Sequence, residues 1–494
     1  MADTAGLDVA SIVARTSRSY DALPYTSNPF PNTHPSLLGA LARLFALEAA
    51  PLDEARVFEL GCASGGNIIP LAARHPGASF VGIDLSNAQV EAGRARIARL
   101  GLSNIDLRCQ SFAEIEEGAA AFDYIICHGV YSWVPEPLRE TILRLCRENL
   151  SPRGIALISY NVLPGWRMLQ ALRDSFLLHA GADADPAARV AQVRALLQLL
   201  PQASPDATPY KDFLAREAER LLASSDDYLA HEFLDDVNEP CSFREFMVAA
   251  RRHGLAYLSE AELPSMFPAN YPADAGEFIR KAGGNDLLAT EQYIDIVSGR
   301  TFRQTLLIGA ERATRIARNI SNERVEPLHF LGANGIALTR EADGVTLASA
   351  SGRRLHTGSP VLADALALFV AAFPGSSSVD DLMRALPAAA HNAQTRALVR
   401  DGLLNMTING LATPRLDPVP AAHATNKPVA CPMVRADAAG GAAATANLRH
   451  ERVELGARAQ VVLPLLDGTR DAATIGADLR TLLPELARAA LFIA

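Results

Sequence analysis

One stretch fixes what this chain can fold into: the apolar run Val57, Phe58, Glu59, Leu60 leads into Gly61, Cys62, Ala63, Ser64, Gly65, Gly66 and Asn67. A short strand that empties into a glycine-rich turn and opens a helix is the first half of a nucleotide-binding βαβ unit. The second half follows as Phe80, Val81, Gly82, Ile83 and Asp84, a buried strand that ends on a carboxylate. Glycines at 61, 65 and 66 reach backbone angles closed to other residues and leave a ligand room to approach the main chain. The spacing is Glu-x-Gly-x-x-x-Gly rather than the dinucleotide Gly-x-Gly-x-x-Gly, and no Lys-Ser/Thr pair makes a P-loop. Glu59 would repel a pyrophosphate and favours a ligand with an amine and a positive charge. S-adenosylmethionine (SAM) has both.

In that pose Gly61, Cys62 and Gly65 bring the backbone against the methionine part, and Glu59 or a main-chain carbonyl receives the ammonium group. Asp84 lies 18 residues beyond Gly66, close to the offset of roughly 20 residues at which an acid meets ribose hydroxyls. A carboxylate offers two acceptor oxygens to two adjacent hydroxyls. Gln110, Ser111 and Phe112 follow the third strand and are expected beside the adenine, where no acid is present.

The most distinctive run closes the fourth strand: Cys127, His128, Gly129, Val130, Tyr131, Ser132, Trp133, Val134. It places polar and aromatic groups where the sulfonium methyl should point. Methyl transfer is an in-line displacement that needs alignment, desolvation and a nucleophile with a free lone pair. Tyr131 and His128 are the leading catalytic candidates, with Trp133 a pocket wall. Tyr160, Asn161 and Trp166, at and after the fifth strand, are expected to form the opposite wall.

Strands near 56–60, 79–83, 105–109, 122–127 and 154–160 alternate with helices near 66–74, 87–100 and 137–150. Such alternation predicts a parallel, doubly wound sheet with its ligand at the carboxyl ends of the strands. Residues 164–240 and part of 263–300 read as helical insertions, with a late strand at 303–309 returning to close the far edge of the sheet. Beyond about 315 short helices alternate with hairpin strands, and two helix-turn-helix segments near 365 and 462 look alike, as in a duplicated winged-helix-like unit. Residues 418–447, rich in Ala, Gly, Thr and Pro, read as a linker or loop.

At 494 residues the chain accommodates several domains, and its 49% hydrophobic and 20% charged residues mark a globular protein. A net charge of −9 gives no footprint for nucleic acid or an anionic membrane. Without an apolar leader or a spanning run, and with six scattered cysteines and no CxxC pair, the expectation is a cytoplasmic protein with reduced thiols and neither a metal site nor membrane insertion.

Taken together, Glu59-Leu60-Gly61-Cys62 with Gly65-Gly66-Asn67, Asp84-Leu85-Ser86 with Gln89, residues 127–134, and Tyr160-Asn161 with Pro164-Gly165-Trp166 resemble bacterial methyltransferases that carry a methyltransferase regulatory domain. His231-Glu232 with Asn238 and Pro240, and Glu291-Gln292-Tyr293 with residues 302–307, fit the same pattern. The best understood members of that family are protein lysine methyltransferases that modify bacterial outer-membrane surface proteins. The resemblance implies an α/β, Rossmann-like class I methyltransferase sheet with helical insertions and SAM as cofactor. It also implies a smaller C-terminal α+β domain, winged-helix-like, outside the chemistry. Tyr20, Asp21 and Tyr25 become a lid over the cofactor, and Asn67, Leu85 and Gln89 join the cofactor-binding set.

The expected division is an arm at 1–35, a SAM-binding core at 36–163, the insertion and sheet return at 164–315, and C-terminal units at 316–417 and 448–494 about the 418–447 linker. The favoured acceptor is a protein lysine. Its amine, with a pKa near about 10.4, must be held neutral by desolvation, by the nearby sulfonium and by a hydroxyl such as that of Tyr131 or Tyr160. Asp226, Asp227, Glu232, Asp235 and Asp236 form an acidic cluster that would attract a lysine-bearing surface. A small-molecule O-, N- or C-methyltransferase and a non-catalytic SAM-binding scaffold are the alternatives.

Overall fold

Five strands form in the order the apolar runs predict: Arg56–Leu60 (β1), Ser79–Asp84 (β2), Ile105–Cys109 (β3), Phe122–Cys127 (β4) and Leu150–Leu163 (β5). The computed structural model describes residues 20–21, 24–115, 118, 121–181, 185–205, 208–423, 425–475 and 479–493, so much of the predicted arm lies outside the described residues. Val57, Leu60, Ile125, Ile126, Ile155 and Leu157 are almost wholly buried, as expected of strands covered on both faces. The helix Asn87–Leu100 covers part of one face. Ser86 caps it by accepting from the N–H of Gln89, and Gly101 ends it at φ +66°. Removing such a cap costs about 1 kcal/mol.

Cys241–Ser242 (β6) adds briefly to the end of β5. Leu255–Glu260 (β7) and Phe302–Gly309 (β8) complete a sheet of order β3-β2-β1-β4-β5-β8-β7. β1 to β5 are parallel, whereas β8 runs antiparallel to both β5 and β7. The late strand therefore does not close the far edge. β7 skips one position after the helix Phe243–Arg252, and β8 fills the gap, bringing Arg303 opposite Tyr160. Strand order reverses between β1 and β4, and the ligand crevice of an α/β sheet opens at such a switch point.

The insertion is helical: Trp166–Ala180, Pro186–Ala203, Pro209–Leu222 and Asp226–Leu229, the last running into a wide turn over Ala230–Leu234. It has its own core, in which Leu172, Phe176, Val193, Leu221 and Phe233 are buried together.

Farther along, His329–Gly332 pairs with Ser376–Ser378 and Ala412–Arg415, beside a meander of Ala337–Glu341, Gly344–Ala348 and Arg354–Thr357. Residues 418–447 are not a linker throughout: they hold the helix Pro432–Ala439 and the strand Ala444–Ala446. Met433, Val434 and Ala438 pack there with Leu463, Leu491 and Phe492. The small residues that suggested a loop allow close helix packing instead. This terminal unit docks on the sheet domain through the ion pair of Arg96 with Asp437 at 2.7 Å and through Arg74 on the Asn447 carbonyl at 3.2 Å.

Candidate active site

β1 delivers Glu59 to the switch point, and the chain then turns through Gly61 and Gly65, both at φ +75°. A side chain at 61 would also strike Val130 at 2.4 Å. Ala63 adopts φ +48° without being glycine. Asp84, at the end of β2, holds it there: Oδ2 accepts from the Ala63 N–H at 2.8 Å and Oδ1 from the Ser86 N–H at 2.9 Å. Burial raises the Asp84 pKa, and these N–H bonds draw it back.

The arm lies across this turn. Ser27 Oγ accepts from the Gly66 N–H at 2.7 Å, the Tyr25 carbonyl accepts from Gln89 at 2.8 Å, and Asn67 Oδ1 accepts from the Phe30 N–H at 3.0 Å. The Thr26 N–H reaches Asp227 at 2.8 Å. Tyr20 stacks on His231 with ring centroids 4.3 Å apart. Arm, turn and insertion thus enclose one cavity of about 730 Å³.

Of the predicted cofactor residues, Tyr20, Tyr25, Glu59, Gly61, Cys62, Asn67, Asp84, Leu85, Phe112 and His128 line the cavity. Gly65, Gln89, Gln110 and Ser111 do not. A Cβ on Gly65 would meet Ile69 at 2.9 Å and Leu107 at 3.1 Å, so this glycine serves helix packing. Gln89 supports the arm, Gln110 donates to the Glu114 carbonyl, and Ser111 caps the turn Phe112–Glu114. Trp133, Asn161 and Trp166 all line the cavity.

Among the catalytic candidates only His128 faces it. Its ring packs against Phe30 at 4.3 Å, its Nδ1 is buried without a hydrogen bond among the described residues, and burial pushes its pKa down to about 4. Tyr131 and Tyr160 point elsewhere. Side chains alternate along a strand, so Asn161 faces the cavity while Tyr160 turns behind the sheet, stacked on Phe246 at 4.1 Å with its hydroxyl 3.1 Å from Thr305. Tyr131 packs edge-on to Phe246 at 5.3 Å and is buried. Neither hydroxyl reaches the cavity.

The insertion and the far end of the sheet supply walls that local sequence did not indicate: Leu169, Phe213, Arg216, Arg220, Tyr228, Thr301 and Phe302. The acidic cluster is dispersed. Asp226 pairs with Arg194 at 2.7 Å, Asp227 holds the arm, and Asp235 faces His231 at 3.5 Å. Glu232 is the member that lines the cavity. Its carboxyl is pushed up to about 7, chiefly by desolvation, with a hydrogen bond from Asn161 opposing the rise.

The chemistry of the donor set fits SAM. Glu59 is buried, Oε1 takes the Asn67 Nδ2–H at 2.7 Å, and Oε2 has no partner among the described residues. Burial, reinforced by Asp84, pushes the carboxyl up to about 8 against the hydrogen bond from Asn67. An ammonium group would supply both the missing donor and the missing charge.

Comparison with known proteins agrees. Residues 57–154 match the family profile described as a methyltransferase domain, 225–308 a predicted methyltransferase regulatory domain, and 426–488 a PKMT C-terminal winged helix domain. The structure of PKMT2 from Rickettsia typhi, solved also in complex with AdoHcy, superposes with a TM-score of 0.82 over 95% of this chain and 100% of that chain, at 23–24% identity. Fold and site define a class I SAM-dependent methyltransferase. Rickettsia prowazekii protein RP789 is 41% identical over 313 residues, 63% of this chain and 56% of that protein, so the match spans little more than half of that relative. Rickettsia prowazekii protein RP028 is 34% identical over 243 residues, 49% of this chain and 97% of its own length, and the chain belongs to the family of that protein.

Proposed function

We propose that the chain is a protein lysine N-methyltransferase acting on a surface or outer-membrane protein, with the lysine amine entering the cavity beside Glu232. The observation that carries this reading is the Glu232 carboxyl on the cavity wall that Trp133, Trp166 and Phe213 also line, where desolvation pushes it up to about 7. Aromatic walls suit the aliphatic stem of a lysine. A carboxylate at its end attracts the ammonium group and then accepts its proton, since a general base works best when its pKa lies near the working pH. Once neutral, the amine has the lone pair that the displacement needs, and SAM supplies the electrophilic methyl. His128, unprotonated at neutral pH, adds no positive charge beside the sulfonium. The PKMT winged-helix match at 426–488 supports the same substrate class. Tyr20, Tyr25, Glu59, Asn67, Asp84, Leu85 and Phe112 are assigned to cofactor binding, and Trp133, Asn161 and Trp166 to the acceptor.

The reading includes a cytoplasmic site of action. It is supported by six cysteines that form no disulfide, and among the described residues no helix is long and apolar enough to cross a membrane. Incubation with methyl-labelled SAM, a cell lysate and an envelope fraction tests the acceptor. Label on lysines of protein bands is expected. Label confined to small molecules would replace this reading with a small-molecule methyltransferase, and no label at all with a binding scaffold.

A further inference from the structure

Between the strands Ala444–Ala446 and Arg452–Glu454 the chain makes a hairpin turn whose residues Asn447, Leu448, Arg449 and His450 are all buried. Turn residues ordinarily face water. This turn is instead held between two units: its Asn447 carbonyl accepts from Arg74 of the sheet domain at 3.2 Å, and Arg449 reaches the strand His329–Gly332. Asn447 Oδ1 accepts from the N–H groups of Arg449 and Glu451 at 2.9 and 2.8 Å, and Arg449 donates to the carbonyl of Gly332 at 2.7 Å. His450 sits at φ +64°, a backbone conformation that residues other than glycine keep only where their surroundings impose it.

That conformation aims the imidazole at the cofactor site. His450 Nε2 lies 2.8 Å from Asn67 Oδ1. The same oxygen accepts from the Phe30 N–H at 3.0 Å, which identifies it as the amide oxygen and makes Nε2 the donor. On its other side Asn67 Nδ2 donates to Glu59 Oε1 at 2.7 Å, and Glu59 lines the cavity with Oε2 unpartnered among the described residues. A continuous, buried line of hydrogen bonds thus runs from the C-terminal unit to the carboxylate at the head of the glycine turn. Desolvation first, then Arg74 and Arg415, keep His450 unprotonated, so the imidazole is a fixed single donor here.

We propose that this hairpin is part of the cofactor site: His450 is a positioning residue that fixes the Asn67 amide and through it aims Glu59 at the ammonium group of SAM. The C-terminal unit then shapes cofactor affinity rather than standing outside the chemistry. By linkage, cofactor binding tightens its docking on the sheet domain. The proposal rests on Glu59 as the partner of the ammonium group.

The test is calorimetric titration of S-adenosylhomocysteine into the full chain, a readout that needs no turnover. His450→Phe keeps the ring and removes the donor, and is expected to weaken binding about tenfold. His450→Gln restores an N–H at the same reach and should return binding to within about threefold of wild type. In a Glu59→Gln background, His450→Phe should cost no more than about twofold, because residues acting as a unit are not additive. Wild-type affinity in His450→Phe, or losses that multiply in the double variant, would overturn the proposal. If Glu59→Gln alone binds like wild type, the Glu59 assignment fails instead. Hydrogen exchange on the wild-type chain is a check that needs no substitution: the ligand should slow exchange at amides 447–451, and unchanged rates there would count against the linkage.

Discussion

The side-chain amide of Asn67 donates to Oε1 of Glu59 at 2.7 Å, and in doing so decides which oxygen of that buried carboxyl is left for the cavity. With burial lifting its pKa to about 8, Glu59 carries a proton at pH 7 in the free protein and gives it up to an ammonium ligand. Binding therefore releases a proton, and affinity rises with pH. S-adenosylhomocysteine should bind about tenfold more tightly at pH 7 than at pH 6 and about fivefold more tightly again at pH 8, and calorimetry in two buffers of different ionisation enthalpy should register about one proton released at pH 7. Glu59→Gln is expected to flatten both dependences.

Asp84 spans the turn and the helix that follows, with one oxygen on the Ala63 N–H and the other on that of Ser86. Asp84→Ala releases Ala63 from its unusual backbone angle and removes a candidate ribose acceptor. Hydrogen bonds to a charged group are worth about 1.5–3 kcal/mol each. The expected outcome is a loss of about tenfold to a hundredfold in S-adenosylhomocysteine affinity, read by calorimetry, with far-ultraviolet circular dichroism unchanged.

Glu232 and Tyr131 give opposite expectations. Glu232→Gln should lower kcat/KM for the methyl acceptor by about a hundredfold while cofactor affinity stays within about twofold. In the wild type the same rate constant should climb as pH rises through about 7, where this carboxyl ionises. Tyr131→Phe should change neither quantity by more than about twofold, because the ring packs on Phe246 and its hydroxyl does not enter the cavity.

Arg303, fully buried, joins Glu260 at 2.7 Å, Glu291 at 3.1 Å and Asp295 at 2.9 Å. Arg303→Met leaves Glu260 and Glu291 without their direct cation and Asp295 with Arg300 alone, at 3.6 Å, an arrangement that costs about 3–5 kcal/mol. Desolvation already raises Glu291 to about 7 and Asp295 to about 6 against the pull of Arg303, and without the cation both rise further. The folded state then holds protons that the unfolded chain releases, so the variant loses stability as pH rises from 5 to 8. Urea denaturation midpoints at pH 5 and 8 should show the larger deficit at pH 8.

Much of the fold and of the site is legible in the sequence. The strand at 56–60, the turn after it and Asp84 follow from local patterns, since a buried strand, a glycine turn and a terminal acid each leave a mark within a few residues. His128, Trp133 and Trp166 also fall where the chain order predicts. Tyr160 faces away from the cavity, which the sequence does not tell, because the alternation of a strand gives two faces without saying which one a cavity occupies. The place of β8 and the burial of residues 432–446 depend on partners far away in sequence, as does the contact of His450 with Asn67, 383 residues apart. Ala- and Gly-rich composition is ambiguous between a loose loop and a tightly packed helix.

Gly66 has a consequence for the ancestry of such chains. Its missing side chain leaves space taken by the arm: a Cβ there would lie 2.3 Å from the Ser27 carbonyl oxygen. The identity of residue 66 is therefore a record of the arm's path. Relatives with any larger residue at this position must route the segment around 27 differently or lack it, so the two positions should change together across a lineage.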